Sequence, residues 1–587
     1  MICRHWSAKA VALGTLILLG SVLLAVAPSA ARADGCGAPY SGGDGMTPAT
    51  AYLISNQLDL IALSTDVTCD PGDYYRQTAD IDISGIPWIP IGHFASGDSF
   101  SGNYDGGGHR ITGLSMQGIS SSETGLFGRV VESEIHNLTL VGPSLGDGPT
   151  GAGHIGALAG QVVSSQISDV HVIDAVVVLS RDDYDVGALI GSLDTSSVAN
   201  VSASGTVQAG SAIGGLIGDA CGSNVSASAA AVSVQSASSG TNVGGLIGDV
   251  RPNCLGPTVA SVCIVPCYTP STVGIFNAQA TGAVQGGTYV GGLVGRAYEV
   301  PVERSFATGT VSGVRAVGGL LGLGMYATII DSYSRGAVAG EEIGGGLIGQ
   351  TFEATLMRNF ATGRVTAVVG GGGLVGGEVT PVSTSATASY WDVATTGQAT
   401  SQSGVGKTTA QLRTAATFSD TGWSIAAGRD LSKVWGICSG VNDGYPFLIN
   451  TYVTAADPCP VVPVAAVDTP AAVAKAPVPV TLAVLSTAGQ GMSIVTRLRV
   501  SGAGSISQVG RLGGSEVVVC RQTKRAMRAG TVVLVCTVNA ATQALLRTQR
   551  VKVVVVTTFT SKSGTLVRRH RTVVLPRIVS KPIAVTG

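Results

Sequence analysis

Charge is scarce in this sequence: Asp, Glu, Lys and Arg together make up 12% of 587 residues, against roughly 25% in an average protein. With hydrophobic residues at 45%, that scarcity does not describe a disordered chain, which needs few apolar residues and many charges. Aromatic residues are also few, at 5%, and none interleave with basic residues as a base-stacking platform. Nucleic acid is therefore not expected as a partner. After residue 26 no stretch of about 18 apolar residues occurs, so no transmembrane segment is expected after signal cleavage. No His-Glu-x-x-His appears, which removes the zinc peptidases that use it, and no Leu-Pro-x-Thr-Gly sorting signal appears. Glycine runs such as Gly370–Gly373 are not followed at once by Gly-Lys-(Ser/Thr), and no Gly-x-Ser-x-Gly sits at a strand-to-helix elbow. No cofactor and no metal ligand set is expected.

Glycine is plentiful instead, at 83 residues, about twice its usual share of roughly 7%. Much of it lies in a recurring pentapeptide, Gly-Gly-Leu-(Val/Ile/Leu)-Gly. Its leucine column runs through Leu126, Leu158, Leu189, Leu216, Leu246, Leu293, Leu320, Leu347 and Leu374. Subtracting neighbours gives spacings of 32, 31, 27, 30, 47, 27, 27 and 27. Phe306, Tyr333 and Phe360 keep the beat of the last three intervals, as do Gly309, Gly336 and Gly363, and Val311, Val338 and Val365. A fixed period of this size marks stacked repeats, because one such unit cannot bury its apolar face alone. Glycine turns with β-branched residues suit short strands. Stacked strands lie about 4.8 Å apart, so a dozen coils would give a rod of roughly 60 Å with side-chain ladders along it. Phe306, Tyr333 and Phe360 should form one such ladder, with Phe276 an earlier member. Strict alternation would put Leu293 and Val294 on opposite faces; a bend at the glycines would let both point inward.

Near-zero net charge conceals a division. Residues 460–587 hold 17 Lys+Arg against 2 Asp+Glu, a net of +15, whereas residues 34–459 hold 15 bases against 34 acids, a net of −19. A basic end of this kind is suited to an anionic surface, by attraction that salt would screen. Solubility alone would also explain it. Its candidate patch comprises Lys524, Arg525, Arg528, Arg568, Arg569 and Arg571.

Residues 1–33 read as a secretory signal: Arg4 and Lys9 precede the apolar stretch Ala10–Val26, and Ala31-Arg32-Ala33 offers a cleavage site. The expected location is secreted or cell-surface associated. Ten cysteines remain, an even number that fits disulfides outside the cell. Proximity suggests Cys36–Cys69, Cys438–Cys459 and Cys520–Cys536, with Cys221, Cys254, Cys263 and Cys267 as a group whose pairing spacing does not fix. Three of that group lie where the leucine spacing stretches to 47, around Pro252–Pro270, so a disulfide-pinned loop is expected there. Zinc is the alternative for these four, but the paired Cys-x2-Cys pattern is lacking.

Early in the body, Asn56 should cap a short helix to Thr65 with Leu58, Ile61 and Leu63 as its apolar positions. Residues 75–83 alternate as a strand. Ordered motifs follow: Tyr52-Leu53-Ile54, Thr78-Ala79-Asp80-Ile81-Asp82-Ile83, Trp88-Ile89-Pro90-Ile91-Gly92, Phe100-Ser101-Gly102-Asn103-Tyr104-Asp105-Gly106 and Gly125-Leu126-Phe127-Gly128. Tyr390-Trp391-Asp392, Thr408-Thr409-Ala410-Gln411-Leu412, Trp435-Gly436-Ile437 and Gly444-Tyr445-Pro446-Phe447-Leu448 close the series. Over residues 44–450 this order resembles the GLUG-motif repeat family of secreted bacterial surface proteins. The resemblance implies an all-β chain built on a right-handed parallel β-helix with an adhesin-like role. Some family members carry the repeat beside a metallopeptidase that cleaves immunoglobulin A; that part does not carry over, since its zinc motif is missing.

Residues 456–479 alternate Pro with Ala and Val, as an extended linker does. Residues 480–587 show Val-rich strands at Val495–Val500, Glu516–Cys520, Thr531–Val538, Val551–Thr558 and Thr565–Leu575, which fit an immunoglobulin-like β-sandwich. The expected organisation is thus a signal peptide at 1–33, the repeat β-helix with its N-terminal cap at 34–455, the linker at 456–479 and a basic sandwich at 480–587.

Since β-helices can be glycan-active, paired carboxylates matter. Asp80 and Asp82 share a strand face, Asp182, Asp183 and Asp185 cluster in a turn, and Asp105 sits in another. Each reads better as a structural turn or motif residue. His93, His109, His136, His154, His171 and His570 are scattered, without ligand spacing. The reading is a structural or adhesin-like rod rather than an enzyme, with a cell-envelope polymer, a host or matrix protein, or a glycan as partner. The alternative is a polysaccharide lyase or glycoside hydrolase working along an acidic groove.

Overall fold

The computed structural model describes residues 40–575, less 66–71, 93–98, 118–121, 147–152, 181–183, 238, 255–272, 380–383, 450–458, 460–481, 491–492, 501–502, 513–517, 527–529, 549–550 and 562–565. The signal segment, nearly all of the linker, Cys36, Cys69, Cys263, Cys267, Asp182, Asp183, His93 and Arg528 lie outside the described residues. The chain divides into two compact units, the second beginning after Val464.

The first unit is a parallel β-solenoid with three walls. Two walls are nine-stranded sheets, and the third is a long sheet of short segments. One coil shows the plan. Arg315–Gly318 lies on the first wall, Leu321–Met325 on the second, and Thr328–Ile330, Tyr333–Ser334 and Val338–Gly340 on the third. The repeating leucine interval is the circumference of this coil. Along the third wall Tyr52, Tyr75, Tyr104, Ile135, Ile167, Val198, Val225, Ile275, Val302, Ile329, Leu356 and Ala386 stack in register. Twelve levels are in register on that wall, and among the described residues nine carry all three, fewer than the dozen coils expected. This column and the pentapeptide leucines fill one continuous apolar interior.

Each glycine of the pentapeptide has its own steric reason. A Cβ on Gly291 would stand 1.9 Å from the Val294 carbonyl oxygen, inside its own turn. One on Gly292 would meet the Gly319 carbonyl of the next coil at 2.1 Å, and one on Gly295 the Val243 nitrogen of the opposite wall at 2.4 Å. The first two walls thus meet backbone to backbone, which only glycine permits. The bend also resolves the orientation of Leu293 and Val294: both are fully buried, and both N–H groups donate to the Leu320 carbonyl, at 2.8 and 3.0 Å.

Other corners are turned by residues that are not glycine. Glu299, Tyr326 and Glu353 share one left-handed corner, with φ of 51°, 51° and 48°. Arg304, Asp331 and Arg358 share another, at 49°, 50° and 56°. Such φ costs an L-residue about 1–2 kcal/mol, and a ladder of buried side-chain oxygens satisfies the backbone N–H groups that follow the second corner. There the Ser305 N–H donates to Ser332 Oγ at 3.1 Å and the Ser332 N–H to Asn359 Oδ1 at 3.0 Å. Ser332 Oγ returns its proton to the Ile330 carbonyl of its own coil at 2.9 Å. In the N-terminal half the same device occupies the other corner, through Ser133, Ser165, Ser196 and Ser223.

Phe306, Tyr333 and Phe360 do stack, with ring centroids 4.8 and 4.9 Å apart and planes within 5°. They face outward, away from the interior, and join a second core with Tyr390, Phe418, Trp423, Trp435 and Tyr445. The segment from Thr408 to Ile449 packs on this column. Phe276 is not a member: the register partner of Phe306 is Gln279, and Phe276 sits opposite Glu303.

Other expectations are corrected locally. The helix spans Gln57–Thr65 with Asn56 accepting from Leu58 N and Asp59 N, but Leu60 and Leu63 are its buried apolar residues while Leu58 is 69% exposed. Residues 75–83 form two strands, Tyr74–Gln77 and Ile81–Asp82, because the chain turns a corner between them.

The second unit has seven strands and one helix, Ala540–Thr548, among its described residues. A three-stranded antiparallel sheet joins Leu482–Gln490, Ser493–Val500 and Gly530–Thr537. A four-stranded one orders Val518–Ala526, Gly504–Leu512, Val551–Ser561 and Leu566–Leu575.

Candidate functional site

The densest charged grouping described on the solenoid lies on the outer face of the second wall. Residues two apart on a strand share a face, so Ile190–Asp194, Ile217–Cys221, Ile247–Arg251 and Val294–Tyr298 each present their third and fifth residues outward. Register then aligns Ser192, Asp219, Asp249 and Arg296 in one column, and Asp194, Cys221 and Arg251 in the next. Asp219 and Asp249 are adjacent like charges, one coil spacing apart. Arg251 bridges them: Nη1 and Nη2 donate to Asp219 at 2.7 and 2.9 Å, and Nη1 also reaches Asp249 at 3.0 Å. Arg296 Nε donates to Asp249 at 2.9 Å, and its Nη2 makes a second bond to the same carboxylate.

Both aspartates are deeply buried, with side chains 6% and 4% exposed. Burial pushes the Asp219 carboxyl up to about 8 against the pull of Arg251, while Asp185, Asp249 and Asp194 push in the same direction as burial. Asp194 is also raised, chiefly by burial. Burial is the largest influence on His154 and lowers it, but Asp185 at 3.0 Å, together with Asp194 and Glu123, leaves it raised on balance.

Cys221 and Cys254 form a disulfide at the edge of this grouping. Their sulfurs and Asp194 lie within 4.8 Å of one another, a spacing that could suit a metal ion. Being bonded to each other, the two cysteines offer no thiolate, so the zinc alternative finds no support here. Further disulfides join Cys438 to Cys459 and Cys520 to Cys536.

The acids singled out in the sequence take structural positions. Asp80 accepts from Arg110 N at 2.9 Å and touches His109; Asp82 holds Ser84 in a turn. Asp105 accepts from Gly107 N and Asn137 and pairs with Arg76 and His136. His171 Nδ1 contacts Ser202 Oγ at 2.9 Å. Of those that are described, Asp185 reaches the charged grouping. The described basic candidates fall on two strands of one sheet, and Arg528 lies outside the described residues. Lys524 and Arg525 are exposed on Val518–Ala526, whereas Arg568, Arg569 and Arg571 lie on Leu566–Leu575, the opposite edge of the same sheet. Gly406-Lys407-Thr408 makes no phosphate loop: Thr408 caps a single-turn helix, and the Lys407 ammonium sits 5.4 Å over the Tyr390 ring.

Asp219, Asp249, Arg251 and Arg296 went unread in the sequence, although a signal was there. Gly-Gly-Leu-Ile-Gly-Asp occurs twice, at 214–219 and 244–249, and Arg296 follows the glycine of the next pentapeptide.

Fold and repeat together define a parallel β-solenoid that carries the GLUG motif. The family model for that motif matches residues 182–208, which include Asp185 and Asp194. Among curated proteins, halomucin of Haloquadratum walsbyi is 32% identical over 180 residues, covering 28% of this chain and 2% of that protein. A provisionally named Gly-rich membrane protein of Evansella cellulosilytica is 31% identical over 137 residues, covering 22% of this chain and 15% of its own length. The chain thus spans only a small part of these relatives. A solved structure from Bacteroides ovatus, provisionally assigned as an immunoglobulin A1 protease, aligns over 70% of this chain and 95% of its own, at 16% identity and a TM-score of 0.34. Among the described residues no helix is long and apolar enough to cross a membrane.

Proposed function

We propose that this is an exported, surface-associated structural protein of adhesin-like type. Its solenoid is the rod that meets a partner, and its basic unit holds the molecule near the envelope. The partner would be an envelope polymer, a glycan, or a host or matrix protein. The observation that carries the reading is the state of the solenoid's acids. The adjacent carboxylates described on it, Asp219 and Asp249, are buried and engaged by Arg251 and Arg296. A glycosidase needs two carboxyls open to one sugar, about 5–10 Å apart; carboxyls held by guanidinium groups stiffen a wall instead. The three disulfides among the described residues suit an oxidising compartment, and the names of the two relatives, a mucin and a membrane protein, lend the same direction.

In this reading residues 1–33 are the signal, 34–455 the solenoid, 456–479 the linker and 480–587 the basic domain, with the coil winding right-handed as parallel crossovers do. The immunoglobulin-like assignment is favoured by strand order. The first, second and fifth strands of the unit pair in one sheet, and the fourth, third, sixth and seventh in the other, so the second and fifth oppose the third and sixth as the B and E strands of such sandwiches oppose C and F.

Purified residues 34–587 should bind envelope or matrix preparations, or a glycan, and leave a panel of polysaccharides unshortened. Release of oligosaccharides, abolished by Asp219→Asn or Asp249→Asn, would overturn the reading in favour of a glycan-active enzyme.

A further inference from the structure

We propose that the outer face of the three-stranded sheet in the second unit is a contact surface for an anionic lipid bilayer. The inference rests on the surface-association reading and names the side chains that would make the contact. Residues 480–587 contain 16 Lys+Arg and a single acid, Glu516, so their positive charge is almost uncompensated within the segment. Alternation sorts the side chains described on Ser493–Val500 and Gly530–Thr537. Ile494, Thr496, Leu498, Leu534 and Cys536 point inward and are buried. Arg497, Arg499, Val533 and Val535 point outward and are exposed.

Register makes the exposed set a compact one. Arg497 lies directly opposite Val533, Val495 opposite Val535, and Arg499 opposite Thr531. Lys524 reaches in from the other sheet, its Nζ donating to the Val533 carbonyl at 3.2 Å. Two valines, 38% and 50% exposed, thus stand beside three cations. A hydrated polyanion would satisfy the cations and leave the valines wet. A bilayer interface accepts both, with guanidinium groups at the phosphates and valines at the boundary of the acyl region. Anionic phospholipid is therefore the chemistry that fits these cations and valines together.

The test is sedimentation of residues 34–587 with vesicles of phosphatidylcholine alone or of phosphatidylcholine mixed two to one with phosphatidylglycerol. Binding is expected only with phosphatidylglycerol. Each basic residue near a charged surface contributes about fivefold, so Arg497→Gln with Arg499→Gln should weaken it roughly thirtyfold. Val533→Ser with Val535→Ser should weaken vesicle binding several-fold while leaving retention on immobilised polyphosphate unchanged. Far-ultraviolet circular dichroism and an intact Cys520–Cys536 bond serve as folding controls for both variants. Vesicle binding unaffected by the arginine pair overturns the proposal. Binding unaffected by the valine pair overturns it too, leaving a plain polyanion contact, and sedimentation without vesicles would identify a second copy as the occupant. Whole envelopes that retain wild type and variants alike would sink this inference only. Envelopes that retain neither would sink the surface reading itself.

Discussion

Phe360→Ala tests how the segment from Thr408 to Ile449 is held. Phe360 is fully buried, stacked at 4.9 Å on Tyr333 and within 6.4 Å of Trp423, Trp435 and Tyr445. Truncating a buried Phe costs about 3–5 kcal/mol in transfer and cavity terms. Polar contacts also tie the segment down. Trp435 Nε1 donates to Asp331 at 3.1 Å, Tyr445 Oη to Asp392 at 2.7 Å, and Arg335 pairs with Asn442 and Asp443. These are not touched by the substitution, so the segment should open more often without being lost. A repeat array does not unfold as one unit, so the right observable is hydrogen exchange resolved by peptide. Opening of residues 409–449 should accelerate by roughly two to three and a half orders of magnitude, the same truncation cost expressed as a change in the opening equilibrium. Peptides from the coils around Leu189 and Leu216 should keep wild-type protection. A change below tenfold in the segment, or equal loss along all coils, would refute the claim that this aromatic column is an external seat.

Ser332→Ala removes the acceptor of the buried Ser305 N–H, and an unpaired buried donor costs about 1–3 kcal/mol; exchange of the Ser305 amide should rise, with little change two coils away. Gly292→Ala sets a Cβ against the Gly319 carbonyl, so a loss at or above the top of the roughly 1–3 kcal/mol overpacking range is expected, read as thermal midpoint and soluble yield. Asp219 binds its proton more tightly folded, at about 8, than the ordinary value of 3.8. Its contribution is complete below pH 4 and is lost as pH rises through about 8. The thermal midpoint should therefore fall between pH 5 and 9, and Asp219→Asn should flatten that fall.

How legible was the molecule beforehand? The leucine column fixes the coil length because a stacked repeat must return to the same wall after each turn. What periodicity did not give was direction. Phe306, Tyr333 and Phe360 repeat as faithfully as Leu293, Leu320 and Leu347, yet one column faces out and the other in, because a second segment covers the outward one. Phe276 looked like an earlier rung, but the beat counted back from Phe306 lands on Gln279, which is its register partner. The charged grouping went unread for a related reason: Asp219, Asp249 and Arg296 are neighbours only once coils are stacked, and each alone resembles a surface residue. In the basic unit the strands Leu482–Gln490 and Gly504–Leu512 were missed because Ala, Gly and Ser dilute their alternation. The helix Ala540–Thr548 was missed between two Val-rich strands, though Asn539 caps it through Thr542 N at 2.9 Å.

Protease shaving of intact cells that express this chain, with peptides identified without reduction, tests the central claim most directly. A surface-held solenoid should release peptides from between residues 40 and 449, with Cys221 and Cys254 recovered as one disulfide-linked pair. Peptides seen only after lysis, carrying both cysteines as free thiols, would contradict the account.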